Sequence, residues 1–248
     1  MRLGIIGAGP IGSIISKKLV KNGHDVKIAD ARGIARLEGK ELAGTAVRVE
    51  EAITNIEVLI ISLPIKALPS IRNMIDQVEE DVIIVDTSNY YPFRDGKIEE
   101  IENGMVESVW VSNQLGRPII KAFNNLLAHT LEYEGTSEDS GRRIAMAVAG
   151  NDPLQKQVVM DVVNELGFDA VDSGSISDSW RQQPGTPAYC TELTKDELTI
   201  ALKKGNKEKA PLLRDKVMER FTVLLADKKG VEFSHKDIVN LNREIYNS

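Results

Sequence analysis

The sequence predicts an α/β fold, a doubly wound parallel sheet with a helical C-terminal appendage. Three observations predict it. Apolar runs alternate with helical periodicity through the first 175 residues. Those runs are nearly continuous, as expected of strands covered on both faces. The first of them, Arg2-Leu3-Gly4-Ile5-Ile6, leads directly into Gly7-Ala8-Gly9-Pro10-Ile11-Gly12. That glycine stretch opens a helical pattern in which Ile11, Ile14, Ile15, Leu19 and Val20 recur at three- and four-residue intervals.

Taken in order, apolar runs place strands at 2–6, 25–30, 57–63, 81–86, 117–122, 143–149 and 168–172, with a short one near 45–48. Helical spacing falls near 10–22, 49–55, 65–78, 98–115, 124–133 and 152–166. In doubly wound sheets ligands bind beyond the carboxyl ends of the strands, so the loops there carry the functional reading. These loops are Ser62-Leu63-Pro64-Ile65, Asp86 to Pro92, Lys121-Ala122-Phe123-Asn124-Asn125 and Ala149-Gly150-Asn151-Asp152. All are rich in polar or turn residues. Residues 174–190 break the alternation but hold Trp180, Arg181 and Tyr189, and read as an ordered loop over a cleft. Helical patterns return near 194–203, 208–228 and 235–246. The expected division is a nucleotide-binding domain over 1–204 and a helical extension over 205–248.

The glycine stretch has the context of a dinucleotide fingerprint: strand, tight turn, helix. Gly7 allows the turn, Gly9 lets the backbone approach a pyrophosphate, and Gly12 lets the helix pack closely on the strand. Pro10 and Ile11 complete the turn, and the free N–H groups of the helix start face the phosphates. Asp30 closes the second strand about 20 residues on, where a ribose contact is expected. A Rossmann domain binding NAD or NADP follows.

Composition narrows the remaining classes. The chain has 248 residues, enough for one large domain or a domain with an appendage. No apolar run approaches ~18 residues, so a membrane span is not expected. The first residues build a strand rather than a signal peptide, and Cys190 stands alone, so a reducing cytoplasm is the expected location. A net charge of −6 argues against nucleic acid as a partner. The charge is uneven: residues 203–248 hold 11 basic and 7 acidic side chains, against 20 and 30 in the remainder. The shift marks a junction at Lys203-Lys204-Gly205-Asn206-Lys207.

Other chemistries lack their residues. His24, His129, His235 and Cys190 show no metal-ligand spacing, so no metal is expected. The nucleophile elbow of a serine hydrolase and the P-loop are absent. Cys190 is open to two readings, a reactive thiol or a buried structural one. A carbonyl acceptor would need a proton donor, for which Lys121, Tyr91, His129 and Tyr189 are candidates. Lys121 at the end of a buried strand is either that donor or half of a structural ion pair. Asn89 and Asn124 offer amide donors and acceptors, and Pro64 limits where a nicotinamide ring can lie. Trp180 and Tyr189 would wall the hydride path, unless Trp180 instead anchors its loop.

These stretches together resemble the deazaflavin-dependent NADP reductases, coenzyme F420-dependent NADP oxidoreductases, in a bacterial branch. The matching pieces are the glycine turn, Leu59-Ile60-Ile61-Ser62-Leu63-Pro64, Val85-Asp86-Thr87-Ser88-Asn89, Lys121-Ala122-Phe123-Asn124, Ala149-Gly150-Asn151-Asp152 and Gly167 to Gly174. They span about residues 1–204. The resemblance implies hydride transfer between NADP and a flavin or deazaflavin acceptor. It puts the phosphate-reading arginine on Arg32 and a second basic position on Arg36. The chain departs from the family at Asp30 and Ala31, where a small residue and a serine are expected. An acid there favours NAD, so both coenzymes stay open, with NADP favoured by the resemblance.

The expected protein is thus an oxidoreductase acting on a small-molecule redox acceptor. A coenzyme-binding sensor without turnover is the alternative. In the extension, Val217, Phe221, Leu224 and Leu225 form one apolar set, and Val231, Phe233, Ile238, Leu241 and Ile245 a second. They require a covering surface, either a second subunit in a homodimer or the chain's own cleft.

Overall fold

A computed structural model describes residues 1–137, 141–227 and 234–247. Six strands form one parallel sheet in the order β3-β2-β1-β4-β5-β6. They are β1 (Arg2–Ile6), β2 (Asp25–Ala29), β3 (Thr45–Ala46), β4 (Val58–Ile61), β5 (Ile83–Asp86) and β6 (Ile120–Lys121). The order turns outward in both directions from β1 and β4, the doubly wound arrangement. Four helices in this part matter for the site or the core: α1 (Pro10–Lys21), α2 (Val49–Ala52), α3 (Arg72–Ile75) and α4 (Pro92–Asp95).

Strand residues divide between two faces with the period of two that the pleat imposes. Val58 and Ile60 join Leu3, Ile5, Ile28 and Val85 on one face, under Ile14, Ile15 and Leu19 of α1. Leu59 and Ile61 join Ile84 on the other. That second face is covered by Ile65, Leu68 and Ile71, and by α6 (Glu107–Leu115), which follows the short α5 (Glu99–Glu102).

The expected strands near 143–149 and 168–172 form, but not in this sheet. They are β7 (Ala145–Val148) and β8 (Asp169–Asp172), a separate parallel pair. Its link to the main sheet is an antiparallel bridge between Lys121 and Ala149. The short β6 accounts for this: Phe123 takes a left-handed backbone, φ 60°, and turns the chain out of the sheet after two paired residues. Between β6 and β7 lies α7 (Ala128–Tyr133), and α8 (Pro153–Glu165) joins β7 to β8, with Val159, Val162 and Val163 packed into the first core.

Three expected helices are shortened for local reasons. The 65–78 pattern becomes a 3-10 segment, Ile65–Ile71, before α3, because Pro69 within it supplies no N–H for an α-helical bond. The 98–115 pattern breaks at Asn103-Gly104, where Gly104 has φ 94°. The 124–133 pattern starts only at Ala128, since Asn124 and Asn125 spend their side chains on loop contacts.

Residues 174–190 are ordered around a 3-10 segment, Ile176–Gln182, opened by a capping box between Ser175 and Asp178. After α9 (Lys195–Lys204) come α10 (Ala210–Asp227) and α11 (His235–Tyr246). Val217, Leu241, Ile245 and Tyr246 pack on Tyr189 and Cys190, with Phe221, Leu224, Tyr91 and Leu127 beside them. The extension therefore covers a surface of its own chain. Val231, Phe233 and the side chain of Leu225 lie outside the described residues. Among the described residues no helix is long and apolar enough to cross a membrane.

Candidate active site

The glycine turn between β1 and α1 separates what the fold requires from what it does not. Gly7 has φ 113°, and a Cβ on it would stand 2.1 Å from the Ser62 carbonyl oxygen. A Cβ on Gly12 would stand 1.9 Å from the Gly7 carbonyl oxygen. Both are fixed by chain packing. Gly9 is different. Its backbone is extended, φ −81° and ψ −177°, a conformation open to any residue. A Cβ there would meet nothing within 4 Å. The chain itself gives no reason for a glycine at this point, and the space it keeps clear lies at the start of α1. Gly9 is the N-cap, with no side chain to satisfy the helix N–H groups; Pro10 is the first helical residue, and no acid stands in the first turn. Ile11 packs against the first core. This is an anion cradle of the kind a dinucleotide pyrophosphate occupies.

At the end of β2, Asp30 is buried and Arg32 exposed. The Arg32 guanidinium donates from Nε to Oδ1 and from Nη2 to Oδ2 of Asp30, both at 3.0 Å, and its backbone N–H donates to Oδ1 at 2.9 Å. The Arg32 side chain holds the Asp30 carboxyl below its ordinary pKa, against the opposing effect of burial. Arg36 stands exposed on the 3-10 segment Ile34–Leu37. Lys40, which the sequence did not single out, donates from Nζ to the Ala8 carbonyl at 3.2 Å. It places a cation at the turn. Leu63 is half-buried, its Cδ2 3.2 Å from where a Gly7 Cβ would be, and Pro64 beside it is exposed.

At the ends of β5 and β6 the amides form a closed network. Asn124 Nδ2 donates to Asn89 Oδ1 at 3.0 Å and to the Gln182 carbonyl at 2.9 Å. Asn124 Oδ1 accepts from Gln182 Nε2 at 2.8 Å, and Asn89 Nδ2 donates to the Asn124 carbonyl at 3.0 Å. Asn124 is 2% exposed, so its amide is committed to docking the 176–182 segment. It positions that segment, with both ends of its amide engaged by Asn89 and Gln182.

Lys121 takes the second of its two expected roles. It is fully buried, with Nζ 2.7 Å from Asp86 Oδ2 and also donating to the Ser88 carbonyl. Its side chain ties β6 to the loop after β5 and is not a free proton donor. Tyr91 and Tyr189 donate and accept between their hydroxyls at 2.9 Å under the extension, and burial raises both pKa values. Burial also pushes the Cys190 thiol up to about 12, the structural rather than the reactive reading.

Trp180 is half-buried. Its Cζ3 lies 3.2 Å from where a Gly205 Cβ would stand, and the Arg181 guanidinium sits 4.5 Å from its ring centre. It lines a pocket with Gln183, Glu102, Glu107, Lys207 and Arg214, between α5, α6 and the start of α10. Gln183 Nε2 is buried there without a hydrogen-bond partner among the described residues. Glu107 is the group the sequence reading missed. Burial pushes its carboxyl up to about 7, while Lys121, the Tyr90 N–H and Arg214 pull it down. Its Oε2 accepts from Tyr90 N at 3.1 Å, which joins the pocket to the loop carrying Asn89. A carboxylate set among Val106, Val109, Trp110 and Val111 was the available signal.

The comparisons agree with this geometry. A family model described as NADP oxidoreductase, coenzyme F420-dependent, matches residues 2–90, from β1 through the Asn89 loop. The Escherichia coli K12 protein YjhV is 37% identical over 115 residues, 46% of this chain and 80% of YjhV. The crystal structure of SMa0349 from Sinorhizobium meliloti superposes with a TM-score of 0.67 at 28% identity, covering 79% of this chain and 97% of that one. A protein from Arthrobacter sp. FB24, whose proposed activity is F420-dependent NADP reduction, shares the fold: TM-score 0.59, 20% identity, 72% of this chain and 87% of that one. The chain has the fold of the NAD(P)-dependent oxidoreductases, it belongs with YjhV, and its residues 2–90 are those of the coenzyme F420-dependent NADP oxidoreductase family.

Proposed function

We propose that this protein binds NADP in preference to NAD over the glycine turn and passes hydride between it and a small acceptor of flavin or deazaflavin type. The observation that carries this reading is Gly9, a glycine required by nothing in the chain and open to a ligand. A bound nicotinamide supplies or takes the hydride, and the chain supplies position and charge. The N–H groups at the start of α1 hold the pyrophosphate. Asp30 has both oxygens engaged by Arg32, so the guanidinium is the outer group and meets a 2′-phosphate. Arg36 and Lys40 add charge of the same sign. Leu63, Pro64 and Asn89 border the nicotinamide end.

The acceptor occupies the pocket beside Trp180 and Gln183. Two links support this. Gln182 ties that segment to Asn124, and Glu107 ties the pocket to the Asn89 loop. Glu107, whose proton is exchangeable near neutral pH, is the group in the pocket wall suited to give or take one.

Titration of wild type and Gly9→Val with NADPH and NADH tests the reading. The variant is expected to lose at least roughly tenfold in affinity, about 1.4 kcal/mol, with an unchanged circular dichroism spectrum. Equal affinity in the two proteins overturns it. Oxidation of NADPH against a panel of flavins, deazaflavins and quinones then identifies the acceptor.

A further inference from the structure

We infer that His129, Glu134 and His235 form a binding site for a divalent transition-metal ion of the zinc class, one that pins the first residue of α11 to α7. Spacing in the sequence gives no hint of it, since 106 positions separate the two histidines. The fold brings them together. One nitrogen from each imidazole and one Glu134 oxygen all lie within 4.8 Å of one another. His235 Nε2 is 4.0 Å from Glu134 Oε1 and 3.8 Å from Glu192 Oε1. Thr130 Oγ1 donates to that same Glu192 oxygen at 2.6 Å, which fixes the carboxylate in place.

The donor set is two imidazoles with one or two carboxylates. Imidazole nitrogen selects zinc and its neighbours over magnesium or calcium, which prefer oxygen alone. The two rings are stacked, 3.8 Å between centres and 10° between planes. Lone pairs in parallel planes do not converge, so metal binding turns one ring out of the stack. His129 is the ring free to turn. It is exposed, and its other ring neighbour is the exposed Tyr133, 4.8 Å away. His235 is held by the helix start that Ser234 caps. Arg142 and Lys236 line the adjoining depression, and Glu134 and Glu192 offset their charge at this corner. The coenzyme and acceptor chemistry uses none of these residues.

The test is calorimetric titration of tag-free, chelator-treated protein with zinc chloride alone. Saturable binding of one ion per chain and a rise of several degrees in melting temperature are expected. His129→Ala and His235→Ala should each weaken binding by at least roughly tenfold. His24→Ala should leave it unchanged, because His24 is engaged elsewhere, with Glu165 at 2.7 Å. Cobalt in place of zinc should give visible absorption that both site variants lose. Because His129 is exposed, His129→Ala carries the test even if His235→Ala folds poorly. Absence of saturable binding up to millimolar zinc, or undiminished binding by His129→Ala, overturns the inference.

Discussion

Within one turn after β2, Asp30 and Arg32 set two opposite charges against each other as an ion pair. Alone, the carboxylate would take two ribose hydroxyls and repel a phosphate. Clamped by the guanidinium through both oxygens, it becomes, on the proposed function, the support of a phosphate-binding group. Asp30→Asn removes the opposing charge and is expected to shift the NADPH to NADH affinity ratio about tenfold toward NADPH, roughly 1.4 kcal/mol. Parallel fluorescence titrations measure it, and a shift toward NADH would disprove the arrangement. Glu107 gives a pH signature. Its carboxyl keeps its proton to about pH 7 in the folded chain, against about 4.3 unfolded. Across that window the folded state binds more protons, so stability falls as pH rises. Wild type is expected to lose on the order of 2–3 kcal/mol between pH 4.5 and 7.5 from this group. Glu107→Gln should lack that loss in urea titrations at the two pH values. At this scale the glycine turn was readable because its residues are neighbours. The role of Lys121 was not, because its partner Asp86 lies 35 positions away and spacing does not show which groups face each other.

Elements with local causes were readable, and those with distant ones were not. β1, α1 and β2 follow from contiguous patterns. The exclusion of β7 and β8 from the main sheet turns on the left-handed Phe123, which apolar spacing does not report. The 174–190 loop was recognisable from its composition, but its docking depends on Asn89, Asn124 and Gln182 meeting from three segments. The apolar faces of α10 and α11 announced that something covers them. The answer came from α11, whose Asn242 Nδ2 donates to the Cys190 carbonyl at 3.1 Å. Arg243 donates to the carbonyls of Thr191 and Glu192 at 2.8 and 3.0 Å. Arg243→Ala is expected to cost about 2–3 kcal/mol, lowering the melting temperature by about 5–10 °C. A calorimetric scan checks this, and a change under about 2 °C would mean that α11 is held chiefly by its apolar contacts.

The whole molecule carries net negative charge, −6, with its positive excess in the C-terminal region. A dinucleotide is itself an anion and is repelled by such a body at long range. Arg32 and Lys40 stand beside Asp30 and the glycine turn against that background, with Arg36 exposed on the segment between them. Their attraction acts within about 8 Å at physiological ionic strength. On the proposed function the coenzyme is therefore drawn in by its phosphate end, not by its nicotinamide. Stopped-flow mixing should show the NADPH association rate falling severalfold from low to 0.5 M salt. The dissociation rate should change less, and Arg36→Ala should flatten the dependence. A salt-independent association rate would assign this patch no part in capture. On the proposed function these cations set an order of events at the cleft: adenosine end first, redox end last, so that the reactive ring arrives only in a molecule already held by its handle.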